Sequence, residues 1–101
     1  MDFEREKEPK CKFTIPDRPT VRQQMEYFSM AGAAAGRDML VRYWEGARAL
    51  IIKPSWKCEL VPDLSSFDMD KTSNPDIVTV LIWAGLQVRN HMNSLDKIPK
   101  N

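Results

Sequence analysis

Residues 73–99, SNPDIVTVLIWAGLQVRNHMNSLDKIP, are the stretch that decides the fold class. Residues 73–76 supply a helix cap, a proline suited to the first turn and an acidic residue that favours the positive end of the helix dipole. Apolar residues then recur every three or four positions, which predicts a long helix closed by Ile98 and Pro99. Its continuous apolar stripe holds Ile77, Leu81, Ala84, Val88, Met92 and Leu95.

The first half of this helix is apolar nearly all round, which is typical of a buried central helix or of one that also faces a partner. Trp83 can serve either the core or an interface, because tryptophan is enriched in both settings. Three tryptophans are many for an interior of 101 residues. We therefore predict that a partner binds the apolar residues that one core does not need. These predicted partner-binding residues are Ile82, Trp83, Leu86 and Trp44.

Two further helices precede this one. Residues 20–23 fit a capping box, and Val21, Met25 and Phe28 follow at helical spacing as one apolar stripe. Residues 31–35 combine alanine with glycine, so they can continue this helix or form a hinge. Residues 37–52 predict a second amphipathic helix. Its apolar face holds Leu40, Tyr43, Trp44, Ala47, Leu50 and Ile51.

The remaining segments read as extended chain. Residues 1–19 alternate in charge and contain three of the seven prolines, which predicts a charged N-terminal arm without a long helix. Residues 12–15 and 55–62 alternate in polarity, so each can form a short strand and the two can pair. The expected fold is mainly α: a three- to four-helix domain over residues 20–101, with a short β-hairpin or extended pair and the arm at residues 1–19.

Composition sets limits on function. The net charge of +1 provides no field that would steer the protein to nucleic acid, and the basic side chains of residues 37–53 are diluted by acidic ones. The start of the chain is charged in both signs, unlike a signal peptide, and no apolar run approaches the roughly 18 residues of a membrane span. We expect a cytoplasmic protein that does not bind a membrane and whose main partner is not nucleic acid. In that compartment Cys11 and Cys58 favour two free thiols, although a disulfide between them stays open.

Candidate chemistry in the sequence is sparse. His91, the one histidine, lies on the flank of the long helix and suits a surface or boundary position. Asp68, Asp70, Thr72 and Asn74 have the spacing of calcium ligands, but Ser73 stands where the loop needs glycine. A solvated loop with a helix cap is the simpler interpretation. We expect no catalytic, metal-binding or cofactor-binding residues.

The layout of the chain resembles that of the tail assembly chaperones of tailed bacteriophages. The resemblance rests on the order of four segments: residues 13–29 (FTIPDRPTVRQQMEYFS), residues 43–51 (YWEGARALI), residues 56–63 (WKCELVPD) and residues 77–101 (IVTVLIWAGLQVRNHMNSLDKIPKN). They run from an extended entry through helices and a short acidic loop to a long apolar C-terminal helix.

The resemblance implies a non-enzymatic role in the host cell cytoplasm. Such chaperones coat the long, aggregation-prone tape measure protein, help to recruit tail tube subunits and tend to self-associate. The family offers no catalytic residues to carry over, so the expected partners are the tape measure or tail tube protein and further copies of the chain. The alternative is a small regulatory or inhibitory binder of a host protein or nucleic acid.

Overall fold

The computed structural model describes residues 1–34, 36 and 38–95. Its regular elements follow the order β1 (Asp2–Arg5), β2 (Cys11–Thr14), α1 (Val21–Ala33), α2 (Met39–Leu50), β3 (Lys57–Cys58) and α3 (Pro75–Leu95). Single 3-10 turns at Lys53–Ser55 and Met69–Lys71 lie in the connections. The fold is a small mixed α and β domain. The prediction of a mainly α fold is correct for the three helices, but it did not include a three-stranded sheet.

The sheet is antiparallel with the strand order β1-β2-β3. Phe3 pairs with Phe13 between β1 and β2, and Cys11 pairs with Cys58 between β2 and β3. The predicted pairing between the segments at residues 12–15 and 55–62 is therefore confirmed, although the paired positions are Cys11 with Cys58 and Lys12 with Lys57.

The segment predicted as an N-terminal arm, residues 1–19, is part of the domain. It forms β1 and β2, and Phe13 and Ile15 are completely buried among the helices. The prolines that suggested an arm lie outside the strands, Pro9 in the hairpin loop and Pro16 and Pro19 after β2. Proline excludes a helix here, but it leaves a hairpin intact when it occupies the loops.

The long helix α3 matches its prediction over the described residues. Asn74 caps it, since the side-chain Oδ1 accepts a hydrogen bond from the Asp76 amide at 3.0 Å. Apart from half-buried Leu95, the predicted stripe is buried. The expected end of α3 at Ile98 and Pro99 lies outside the described residues.

Helix α2 lies between its two neighbours and contacts both. Asp38 caps it by accepting a hydrogen bond from the Leu40 amide at 2.8 Å. Small residues allow close approach on each side: Gly46 faces the ring of Tyr27 in α1, and Gly85 of α3 lies against the α2 backbone. The predicted start of α2 at Arg37 lies outside the described residues.

The alanine–glycine segment divides between helix and turn. Helix α1 continues to Ala33, and Gly36 then adopts a φ of 91°, a conformation that glycine accepts without strain. Helix is therefore the outcome for residues 31–33. Ala35, the last residue of the segment, lies outside the described residues.

Candidate partner-binding surface

The four residues predicted to bind a partner occupy different environments. Trp44 is 1% exposed and packs against Trp56 with ring centroids 5.9 Å apart, so it belongs to the core and cannot reach a partner in this fold. The placement of Trp44 on a binding surface is corrected accordingly. Ile82, Trp83 and Leu86 are each half-buried.

Trp83 turns toward the sheet. Its ring lies edge-on to Phe13 with centroids 5.6 Å apart, and it packs against the buried cluster. Phe13 of the sheet thus covers part of Trp83, one of the α3 residues that the sequence suggested was left for a partner.

The largest apolar excess on the described surface lies on α1. Val21, Met25 and Phe28 are 73%, 66% and 64% exposed, and Met30 is also exposed. We call Val21, Met25 and Phe28, which share one side of the helix, the α1 stripe. A monomeric protein ordinarily turns such a stripe toward its core, so its exposure points to a binding function.

The residues on the face opposite the α1 stripe determine how helix α1 packs against the domain. Tyr27 is buried, and a Cβ added to Gly46 would lie 2.8 Å from its ring, so this contact is tight. Ala34 is buried beside it, and Gln23 and Gln24 are half-buried. The inward face therefore combines one aromatic ring with small and polar residues, while most of the large aliphatic side chains point outward.

The inward glutamines have defined hydrogen-bonding partners. Gln23 completes the predicted capping box, in which its side chain accepts from the Thr20 amide at 2.8 Å and its own amide donates to the Thr20 hydroxyl. Gln24 donates to the carbonyl of Pro19 at 3.0 Å. These contacts fix the start of α1, and they explain how polar side chains are accommodated on its inward face.

The α1 stripe has the form of a shallow binding surface. Val21 and Met25 of the stripe line a shallow concavity together with Met30 and the polar side chains of Arg22, Glu26 and Ser29. Phe28 stands beside it, with its ring edge-on to Tyr27 at a centroid distance of 5.2 Å. Apolar and charged side chains therefore lie side by side on this exposed part of α1, as they do in many protein–protein interfaces.

A second apolar surface lies between the first halves of α2 and α3. It is a groove of about 450 Å³, which we call the α2–α3 groove, and Ile82 lines it. Val78 on its edge is 55% exposed, and Leu40 is also exposed. Of the residues predicted to bind a partner, Ile82 and Trp44 line this groove, and Ile82 is the more exposed of the two because Trp44 is only 1% exposed.

The residues considered for chemistry have structural partners. His91 is half-buried, and its Nε2 lies 2.9 Å from the carbonyl oxygen of Asp17; since a carbonyl can only accept, Nε2 donates. Asp68 accepts from the Asp70 amide at 2.9 Å, and Thr72 donates to the Asp68 carbonyl. Across residues 1–34, 36 and 38–95, no group of three or more histidine, cysteine, aspartate or glutamate side chains is placed to hold a metal ion.

The basic side chains of α2 are engaged locally. Arg42 donates to the carbonyl of Ala31 at 3.3 Å, and Arg48 pairs with Glu45 at 3.6 Å. These contacts leave no stripe of free arginines along the described part of α2.

Sequence reasoning missed the α1 stripe as a surface. The available signal was the composition of the opposite face, where Gln23, Gln24 and Ala31 give close-packing and polar contacts but little apolar area. Periodicity identifies which residues share a face of a helix. It does not say whether the face with Tyr27 or the face with Val21, Met25 and Phe28 packs against the core.

None of the described helices is long and apolar enough to cross a membrane. Comparisons with protein-family models, with curated proteins and with solved structures found no match.

Proposed function

We propose that the protein is a non-enzymatic assembly protein that binds a helical segment of another protein through the α1 stripe. The observation that carries the proposal is the orientation of α1, which buries Tyr27 and leaves Val21, Met25 and Phe28 mostly exposed. Keeping that apolar area in water costs free energy, and a partner that covers it recovers about 25 cal/mol per Å².

The shape of the α1 stripe suits a helical partner. A partner helix lying along α1 can place apolar side chains between Val21, Met25 and Phe28, which is the usual way in which two amphipathic helices pack. The charged side chains of Arg22 and Glu26 flank the stripe and offer one contact of each sign to the rim of a partner.

Methionine makes this surface adaptable. Met25 belongs to the stripe, Met30 is exposed on another side of α1, and Met39 at the start of α2 is 60% exposed. Because the methionine side chain is unbranched and polarisable, it fits partners of varied shape. A surface of this kind can bind many similar segments of one long chain rather than a single specific sequence.

We favour a role in phage tail assembly, in which the protein binds the tape measure protein and also tail tube subunits. A tape measure chain is long, helical and prone to aggregate, and a chaperone must cover many of its segments, which an adaptable apolar surface with exposed methionines would allow. Support comes from the layout of the chain and the α1 stripe together. Self-association through the same stripe is compatible with this role.

The test is co-expression with the tape measure protein encoded by the same genome. We expect the chain to co-purify with the tape measure protein and keep it soluble. The variant Met25→Gln/Phe28→Gln should lose both effects, whereas Thr79→Gln, an exposed change on α3, should retain them. Wild-type protein that stays monomeric and leaves the tape measure protein insoluble would exclude the proposal.

A second variant separates the two apolar surfaces. Val78→Gln places a polar side chain at the edge of the α2–α3 groove without touching α1. If Val78→Gln alone abolishes co-purification, the partner binds the groove that contains Ile82, as the sequence predicted, and the assignment to α1 is wrong.

A further inference from the structure

Cys11 of β2 and Cys58 of β3 lie directly opposite each other in the sheet. Both are free thiols, and both are buried on the same face. Two cysteines at paired positions on neighbouring strands are a different feature from two cysteines that are merely buried in one core, because the strand register fixes the distance between them.

The hydrogen-bonding pattern defines the type of pair. Lys10 and Thr14 direct their backbone groups toward the β3 side, since the Lys10 carbonyl accepts from the Glu59 amide and the Thr14 amide donates to Ser55 Oγ. Backbone groups alternate in direction along a strand, so those of Cys11 point to β1 instead. Cys11 and Cys58 are therefore a non-hydrogen-bonded pair.

This pair type brings the side chains closest together. Its Cα atoms are about 4.5 Å apart in regular antiparallel sheets, and a disulfide accepts Cα separations of about 4.4–6.8 Å. The two sulfurs can therefore be joined with little movement of the backbone.

The two thiols differ in their access to solvent. They line a surface concavity together with Arg5, Lys57 and Glu59. Cys58 is 8% exposed and Cys11 is 2% exposed. Burial raises the pKa of the Cys11 thiol, and the neighbouring Cys58 contributes in the same direction. Because Cys58 is the more exposed of the two thiols, it is the one that a reagent from solution reaches first.

We propose that Cys11 and Cys58 form a reversible cross-strand disulfide when the protein meets a low-molecular-weight disulfide such as oxidised glutathione. The Cys58 thiolate attacks one glutathione sulfur, which forms a mixed disulfide and releases one glutathione thiolate. The Cys11 thiolate then attacks the Cys58 sulfur, forms the Cys11–Cys58 bond and releases the second glutathione thiolate. Two protein thiols are oxidised, one glutathione disulfide is reduced, and the two thiol protons pass to the departing thiolates.

The experiment is incubation of the folded full chain with oxidised glutathione, followed by intact mass measurement and non-reducing peptide mapping. We expect a monomer lighter by two hydrogens, a linked peptide pair containing Cys11 and Cys58, and recovery of both thiols with reduced glutathione. A protein that keeps two alkylatable thiols, accumulates a stable glutathione adduct or links to a second copy would overturn the proposal.

Single variants test the order of the two steps. Cys11→Ala should stop at the glutathione adduct on Cys58, because the second thiol is missing, and Cys58→Ala should react at least tenfold more slowly than Cys11→Ala. The wild-type mass measurement stands independently of whether either variant folds well. The inference does not depend on partner binding, since β2 and β3 lie outside the α1 stripe.

Discussion

Gly85 sets how closely α3 approaches α2. A Cβ at this position would lie 3.0 Å from the backbone nitrogen of Trp44 and 3.1 Å from the carbonyl carbon of Tyr43. Backbone atoms cannot move aside as the end of a flexible side chain can, so the two helices would have to separate. Gly32, on exposed α1, has nothing within 4 Å of the same added atom.

We predict opposite effects of alanine at these two glycines. Gly85→Ala should lower the free energy of unfolding by about 1–2 kcal/mol, because overpacking outweighs the gain in helix propensity. Gly32→Ala should raise it by up to about 1 kcal/mol, since propensity acts there without a clash. Urea denaturation of both variants measures the difference. Equal stabilisation by both would show that α2 and α3 are less closely packed than described.

Two buried tryptophans provide a second comparison at this scale. Trp56 donates its indole N–H to the carbonyl of Val61 at 2.6 Å, whereas the indole N–H of Trp44 has no hydrogen-bond partner among the described residues. Both rings lie in the same core.

Replacing each tryptophan by phenylalanine removes a similar volume but a different number of hydrogen bonds. Trp56→Phe should destabilise the protein by roughly 1–2 kcal/mol more than Trp44→Phe, because it leaves a buried carbonyl unsatisfied. Thermal unfolding followed by circular dichroism tests the ranking, and a larger loss for Trp44→Phe would contradict it.

At the scale of elements, α1 is distinguished by which of its faces turns inward. Tyr27 is buried against Gly46, and the α1 stripe faces solvent. From the sequence alone, substitutions in the apolar stripe would be expected to destabilise the protein most. With the orientation observed here, a substitution of Tyr27 should destabilise it more.

Substitutions at three α1 residues, with the free energy of unfolding measured for each variant, test this orientation. Met25→Gln should change the free energy of unfolding by no more than about 0.5 kcal/mol, as for other exposed sites, and Phe28→Gln should lower it by about 1 kcal/mol at most, because it also removes the edge-on contact with Tyr27. Tyr27→Ala should cost about 3 kcal/mol, since it removes a buried ring. If the two glutamine variants were the destabilised ones, α1 would pack with its stripe inward, and the proposed binding surface would not exist.

Local rules predicted the elements better than their arrangement. The Asn74 cap, the α3 stripe and the capping box at Thr20 follow from interactions within a few residues, so the sequence pattern was sufficient for them. The face that α1 presents depends on its fit to α2, and the role of Trp83 depends on the sheet. Neither the orientation of α1 nor the environment of Trp83 could be predicted from one segment, because both depend on packing between segments that are distant in the sequence.

At the scale of the whole molecule, the N-terminal hairpin changes the distribution of apolar surface. The expected arm, residues 1–19, instead supplies Phe13 and Ile15 to the core and covers Trp83. The apolar excess predicted on α3 is therefore partly used within the fold, and the surface left for a partner lies mainly on α1. Residues 12–15 carried the signal for this, since their alternating polarity suits a strand with one buried face.

The central claim is that the α1 stripe binds a helical partner. The most direct measurement is calorimetric titration of a helical tape measure segment into wild-type protein and into Met25→Gln/Phe28→Gln, with unfolding curves confirming that both proteins are folded. We predict that the double substitution weakens binding by at least about tenfold, because two apolar contacts are lost from the centre of the interface. Equal affinity of the two folded proteins would contradict the claim.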